Sequence, residues 1–419
     1  MKKILIISPH FPPSNLAAVH RSRLFAQHLP SMGWEPTVLM VDEKYYEEKL
    51  DHNLEKLVPA NLKIEKASAF GVTKPRLIGD IGMRGFFQLY KKAKQIVRRD
   101  KIDFVYIPIP SFYVALLGRW LHANTGVKYG IDYIDPWVHE FPGAGWRYRL
   151  SETVAKFLEP IAVKKASLIT GVAEGYYKGV HERNPNLLQS CVFAAMPYGG
   201  EREDHAKVAQ MDIKPYLFAK SAKTQLVYAG AMLPKAYEPL EAIFKAISAE
   251  KGKYQNIEFH FIGTGKSPND PQGYNIKPLA EKYGLWQSVV FEYPARIPYM
   301  DVLVHLDAAD GIFILGSTEP HYTPSKVYQA VLSSKAILAV LHGESTAFNV
   351  VNSTKAGIAY PIVPENIEKI TTDFNQLMEN YLQFMQQFQP SQVDTKAFDQ
   401  YSAKAVTQIL ANSLNKICG

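Results

Sequence analysis

Short apolar runs at 3–8, 36–41, 104–108, 129–133 and 167–170 alternate with helical patterns at 17–29, 86–99, 112–123 and 153–164. A chain patterned in this way buries its strands on both sides, which predicts a parallel sheet with helices covering either face. A polar, glycine-containing stretch at 199–223 breaks the pattern and reads as a linker. Alternation then resumes, with runs at 225–228, 258–262, 289–293, 311–315 and 336–341 and helical patterns at 239–250, 277–283 and 299–306. At 419 residues the chain exceeds what one hydrophobic core usually serves. The expected fold class is α/β, with two Rossmann-like, doubly wound parallel-sheet domains at 1–200 and 201–396 facing a cleft. A last helical pattern at 397–419 carries Val406, Ile409, Leu410, Leu414 and Ile417 on one apolar face.

Ligands of open parallel sheets bind beyond the carboxyl ends of the strands, so chemistry is expected just after the apolar runs. After 311–315, and a loop containing Glu319, comes Thr323-Pro324-Ser325-Lys326-Val327-Tyr328-Gln329. Thr323 reads as a helix N-cap and Pro324 as the first helical residue, which points the N–H groups of Ser325, Lys326 and Val327 into the preceding crevice. A lysine in that first turn opposes the helix dipole unless an anion meets both. After 225–228, Gly230 permits close backbone approach and Lys235 can reach a phosphate. Gly263 and Gly265 form a tight turn after another run, and Arg296 follows the next, placed to cap a nucleobase or to pair on the surface.

In the first half, the loop after 3–8 contains Pro13, the small residues Ala17 and Ala18, and then His20 and Arg21. No GxGxxG occurs there, which disfavours a dinucleotide cofactor. Beyond 129–133, and overlapping its end, stand Asp132, Asp135, His139 and Glu140. Asp135 reads either as a carboxylate able to take a proton from an attacking hydroxyl or as a turn residue before Pro136.

The net charge of +7 calls for acidic partners. Its densest cluster, Lys91, Lys92, Lys94, Arg98, Arg99 and Lys101, shares a helical pattern with Phe86, Phe87, Leu89, Tyr90, Ile96 and Val97. That mixture suits an anionic membrane surface, or a packed amphipathic helix with a solvated basic face. Basic residues are otherwise dispersed and match no nucleic-acid motif, so no nucleic-acid partner is expected. The apolar runs are too short to span a bilayer, no secretory pattern opens the chain, and Cys191 and Cys418 suggest no disulfide or metal pair. The expected setting is cytoplasmic, with peripheral contact at the inner face of a membrane.

Taken in order, these segments resemble a GT-B glycosyltransferase of the family 4 type. The resemblance rests on the opening strand with Pro12-Pro13, the segment from Asp132 to Trp137, Tyr228-Ala229-Gly230 followed by Lys235, Phe261-Ile262-Gly263-Thr264-Gly265, and Pro324 to Gln329. It implies a nucleotide-sugar donor in the second domain, a glycan or lipid-linked acceptor in the first, and a final helix crossing back to the first. Retention of configuration, surface-polysaccharide or lipid-linked glycan assembly, and independence from metal and cofactor are implied as well. Lys235 and Lys326 then meet the donor diphosphate and Gly230 is the close-approach glycine, while Asp135, from its own place after the strand, is the expected base. Gln329 and His321 stand where the family places two glutamates, with Glu319 two residues before His321. A nucleotide-sugar epimerase of the same fold and a non-catalytic nucleotide-sugar-binding protein remain as alternatives.

Overall fold

Parallel strand pairing organises both halves of the chain. The computed structural model describes residues 1–73, 79–138, 145–267, 270–320 and 322–419, apart from the side chain of Arg147. The first sheet holds β1 (Lys2–Ile7), β2 (Trp34–Val41), β3 (Lys63–Ala67), β4 (Phe104–Ile109), β5 (Lys128–Tyr133), β6 (Leu168–Gly171) and β7 (Val192–Ala195). Their order is β3-β2-β1-β4-β5-β6-β7. The second sheet holds β8 (Thr224–Ala229), β9 (Ile257–Ile262), β10 (Val290–Tyr293), β11 (Gly311–Leu315), β12 (Ala336–His342) and β13 (Gly357–Ile362), in the order β10-β9-β8-β11-β12-β13. The α/β expectation is met, with the added strands β3, β7 and β13.

Two compact units result: residues Met1–Tyr198 with Ala403–Gly419, and residues Gly199–Ser402. The boundaries expected at 200 and 396 shift, the second because Phe398, almost fully buried, and Tyr401, whose ring lies 6.1 Å from that of Tyr328, pack within the second unit. The last helix accordingly starts at Ala403 rather than 397. The stretch 199–223 is not a loose linker either. It forms the helix Arg202–Ala209, and the N–H groups of Tyr216 and Leu217 both donate to Nε2 of buried His305 at 3.1 Å.

In the first unit, one face of the sheet is covered by the helices Phe86–Asp100, Ala115–Thr125, Trp146–Val163 and Glu174–Arg183. Close packing of the second of these needs Gly118, where a Cβ would lie 2.2 Å from the Tyr129 ring of β5. The other face is covered by Ala17–His28 and Ala403–Cys418, the latter burying Val406, Leu410 and Leu414 at four-residue intervals against Ile4, Ile6, Phe25 and Leu29.

Arg21 and Asp132, expected to face an acceptor, are instead a buried pair, and this corrects the sequence reading. Arg21 Nε donates to Asp132 Oδ2 at 2.6 Å and its Nη2 to Oδ1 at 3.0 Å, while Nη1 donates to the Pro197 carbonyl at 3.0 Å. Thr170 Oγ1 donates to Asp132 Oδ1 at 2.8 Å and lies 2.7 Å from the Tyr106 hydroxyl. Both carboxylate oxygens of Asp132 are therefore committed, Oδ1 to Arg21 and to Thr170 of β6 and Oδ2 to Arg21. Breaking such a pair strands a buried charge. Asp132→Asn should lose about 3–5 kcal/mol of stability in urea denaturation, and a loss under about 1 kcal/mol would contradict the structural role.

Candidate functional site

The strand order reverses direction between β8 and β11, which opens a crevice at their carboxyl ends. The loops leaving these two strands carry most of the second-half residues singled out above. Gly230, directly after β8, adopts φ +151°, a conformation that a side chain disfavours, while its N–H donates to the Ile262 carbonyl at 2.9 Å. The stem of Lys326 runs over it: a Cβ at Gly230 would lie 3.6 and 3.7 Å from two of its carbons.

Lys326 is partly buried, and its amine has no hydrogen bond or ion pair among the described residues. Burial first, and the neighbouring charge of Arg296 second, lower its pKa from an ordinary 10.5 to about 8. Two cations thus converge where the amine meets no carboxylate. Gly263, at φ +73°, and Gly265, whose N–H donates to the Pro294 carbonyl at 2.9 Å, shape the turn after β9 beside the loop that carries Arg296.

Lys235 does not share this condition. Its Nζ lies 2.9 Å from Glu319 Oε1, and the Thr318 N–H donates to its carbonyl at 3.3 Å, so the loops after β8 and β11 are tied to one another. Both side chains are substantially exposed, and such a pair contributes at most about 1 kcal/mol. Lys235 is free to exchange Glu319 for a stronger anion.

The helix following β11 spans Lys326–Leu332, with Ser325 at its N-cap and no side-chain cap bond. The capping expected of Thr323 is absent, because the chain tightens first: the Val327 N–H donates to the Pro324 carbonyl at 3.0 Å. Thr323 Oγ1 is left buried without a hydrogen-bond partner among the described residues. Gln329 is buried, with its Oε1 2.9 Å from His205 Nε2, so its amide oxygen is engaged inside the unit. His321, His139 and Glu140 lie outside the described residues.

The first sheet has its own reversal, between β1 and β4. A cavity of about 320 Å³ opens there, lined by residues of the loops after β1, β4 and β5, among them His10, Ala17, Ala18, Ser111 and Asp135, with Asp80 and Tyr198. The structure therefore brings Ala17, Ala18 and Asp135 together. Pro13 is buried, its carbonyl accepting the Asp51 N–H at 2.7 Å, and His20 does not line the cavity. His10, Asp80 and Ser111 were missed because nothing in one sequence links a loop at 80 to strand ends at 8 and 110. His10 alone carried a signal, standing directly after a strand.

No family model and no curated protein matches the sequence. Solved structures do match its full length. HepE from Anabaena in complex with UDP aligns over 99% of this chain and 100% of its own, at a TM-score of 0.62 and 14% identity. Sucrose-phosphate synthase from Thermosynechococcus elongatus aligns over 99% of each chain at 0.66 and 12% identity. Trehalose-6-phosphate synthase OtsA aligns over 99% of each at 0.67 and 10% identity. The fold is GT-B. Both sheets of this GT-B chain thus place a candidate site at their own direction reversal.

Lys326 has a measurable cost. Its folded pKa lies below the unfolded one, so the charged amine destabilises the fold at every pH below about 8, and this is relieved as pH rises from about 8 towards 10.5. Lys326→Met should raise the thermal midpoint at neutral pH and remove that alkaline gain in a pH series of melts. An unchanged midpoint and an unchanged gain would refute the desolvated, unpaired amine.

Proposed function

We propose that the chain is a glycosyltransferase that moves a sugar, a hexose in the simplest reading, from a nucleoside diphosphate donor to a hydroxyl acceptor. The observation that carries this is the desolvated amine of Lys326 beside Arg296, over a glycine that admits a ligand to the backbone. HepE, of the same fold, has been solved with UDP and with UDP-glucose, which supports a nucleotide-sugar donor. The leaving group of such a transfer is a nucleoside diphosphate. The cations of Lys326, Arg296 and, once released from Glu319, Lys235 meet the charge growing on its β-phosphate. Retention of configuration, and a place in surface-polysaccharide or lipid-linked glycan assembly, complete the proposal and rest on the resemblance.

A diphosphate beside Lys326 favours the protonated amine, so binding draws in a proton wherever the free amine is partly neutral. UDP affinity should therefore fall as pH rises through about 8, with proton uptake visible by calorimetry in buffers of different ionisation enthalpy. Lys326→Ala should weaken UDP binding by about 10- to 100-fold and abolish the uptake. A pH-independent affinity with no uptake would remove Lys326 from the phosphate site.

The acceptor side includes peripheral contact with an anionic membrane, to which the helix first expected to provide it contributes basic charge but little apolar surface. Phe86–Asp100 turns Phe86, Leu89, Ala93, Ile96 and Val97 into the core, leaving Phe87 as its exposed large apolar residue. The helix Trp146–Val163 supplies what that one lacks. Trp146, Leu150, Phe157 and Ile161 repeat at helical spacing on one stripe, and Trp146 and Phe157 are 71% and 70% exposed. Ala115–Thr125 packs between the two helices, and its Trp120 ring stands 5.1 Å from Phe86. Lys91, Lys94 and Arg98 have no carboxylate partner among the described residues, and each adds about 1 kcal/mol at an anionic surface. Among the described residues no helix is long and apolar enough to cross a bilayer. The protein should sediment with phosphatidylglycerol-containing vesicles and not with phosphatidylcholine alone, and Trp146→Ser with Phe157→Ser should lower the bound fraction about tenfold or more. Equal sedimentation of parent and variant would rule out this stripe.

A further inference from the structure

A backbone carbonyl only accepts a hydrogen bond and a backbone N–H only donates one, and His305, in the helix Tyr299–Ala308, meets both. Its Nδ1 lies 2.6 Å from the Asp301 carbonyl, so Nδ1 carries the hydrogen. Its Nε2 lies 3.1 Å from the N–H of Tyr216 and 3.1 Å from that of Leu217, so Nε2 offers its lone pair to both. The ring is fully buried and its neutral form is required, because a proton on Nε2 would face two donors. We infer that residues 212–223 form a strap that His305 fastens while neutral and releases on taking up a proton. This goes beyond the glycosyl-transfer reading and does not rest on it.

The strap joins the helix Arg202–Ala209 to β8 and belongs to no helix or strand. Among the described residues no backbone-to-backbone hydrogen bond secures it. Its main chain is tied down by the two bonds to His305 and by the Ala219 carbonyl, which accepts from Gln225 Nε2 at 2.9 Å. Side chains add the rest. The Tyr216 hydroxyl donates to Asp301 Oδ2 at 3.0 Å, and its ring stands edge-on to His305 at 5.0 Å. Phe218 stacks on His260 at 4.4 Å and stands 5.7 Å from His305. Lys220 pairs with Asp310 at the surface, where such a pair contributes little. Opening would bare His260 and, 5.1 Å from it, Phe291, on the face of β9 and β10.

The charged and titratable groups facing His305 come from each element packed around it. Its own helix supplies Asp301, and the strap supplies Tyr216. Across Phe218 stands His260, whose Nε2 lies 3.3 Å from Glu258 Oε2, with Lys223 Nζ 3.2 Å from Oε1. Beyond the end of the helix, Asp310 is engaged by Lys220 and by the Gln225 N–H at 3.0 Å. The helix Arg202–Ala209 brings His205, bonded to Gln329, and Asp204, which accepts the Tyr299 hydroxyl at 2.9 Å. Burial lowers the pKa of His305 from an ordinary 6.5, against the Asp301 carbonyl and carboxylate, which raise it. Burial likewise lowers that of His260, against Glu258. Both rings under the strap therefore resist a proton until the strap lifts. Once water reaches it, His305 returns to about 6.5. Closure is then at full strength above that pH, weakens as pH falls below it, and levels off past the lower value of the closed state.

Hydrogen exchange of the full chain, read by mass spectrometry and corrected for the intrinsic pH dependence of exchange, tests this from about pH 7.5 to about 5. Protection of the Tyr216 and Leu217 amides should be constant above about pH 7 and fall, below 6.5, by about tenfold per pH unit for each proton taken up. The amides of β8 should keep their protection. His305→Gln retains an oxygen that accepts from the strap and cannot titrate, so it should remove one proton's share of the slope. Nitrogen-15 spectra of the histidine-labelled parent should report His305 as the Nδ1–H tautomer at neutral pH. Protection of the two amides that does not change with pH in the parent, or an equal slope in His305→Gln, would overturn the inference. So would an Nε2–H tautomer of His305, or a loss at β8 in step with the strap, which would mark global unfolding.

Discussion

Parallel pairing constrains everything else in this molecule. Among the described residues every strand pair runs parallel, so each strand must return through a crossover before the next can add. All loops leaving strand ends therefore emerge on one edge of their sheet. At that edge a crevice opens where successive crossovers depart in opposite directions, between β1 and β4 and between β8 and β11. The His10 cavity and the Lys326 crevice occupy these two places.

Within that frame, electrostatics separates groups that hold the fold from groups that wait for a ligand. Arg21 and Asp132 satisfy one another completely and are closed to solvent. Lys235 and Glu319 satisfy one another loosely, at the surface. Lys326 is satisfied by nothing described, and its lowered pKa records the strain of that position. The order runs from structural to functional, and the number of committed partners separates the three cases more clearly than charge or burial taken singly.

The strands and helices were legible because apolar periodicity survives in a single sequence; Gly230 was legible because it directly follows a strand, and Lys326 because it opens the helix after the next loop. The short strand β3 escaped notice since Lys63, Glu65 and Lys66 interrupt its apolar pattern, and a sheet-edge strand does not need burial on both faces. Arg21 and Asp132 were misread for the opposite reason: charged residues near strand ends look like ligand groups until their mutual distance is known. The pairing of His10 with Glu48 was invisible, because it is made by two loops that only the β1–β2 register brings side by side.

The second unit begins at Gly199 and ends at Ser402, and these ends touch: the Gly200 N–H donates to the Tyr401 carbonyl at 3.0 Å. It is in effect a closed insert within the first unit, whose final helix, Ala403–Cys418, is translated only after the insert is complete. Until then Ile4, Ile6, Phe25 and Leu29 lack the helix that covers them. The ribosome thus imposes a waiting period in which the half begun first is finished last, and an uncovered apolar face must be kept from aggregation while the insert folds.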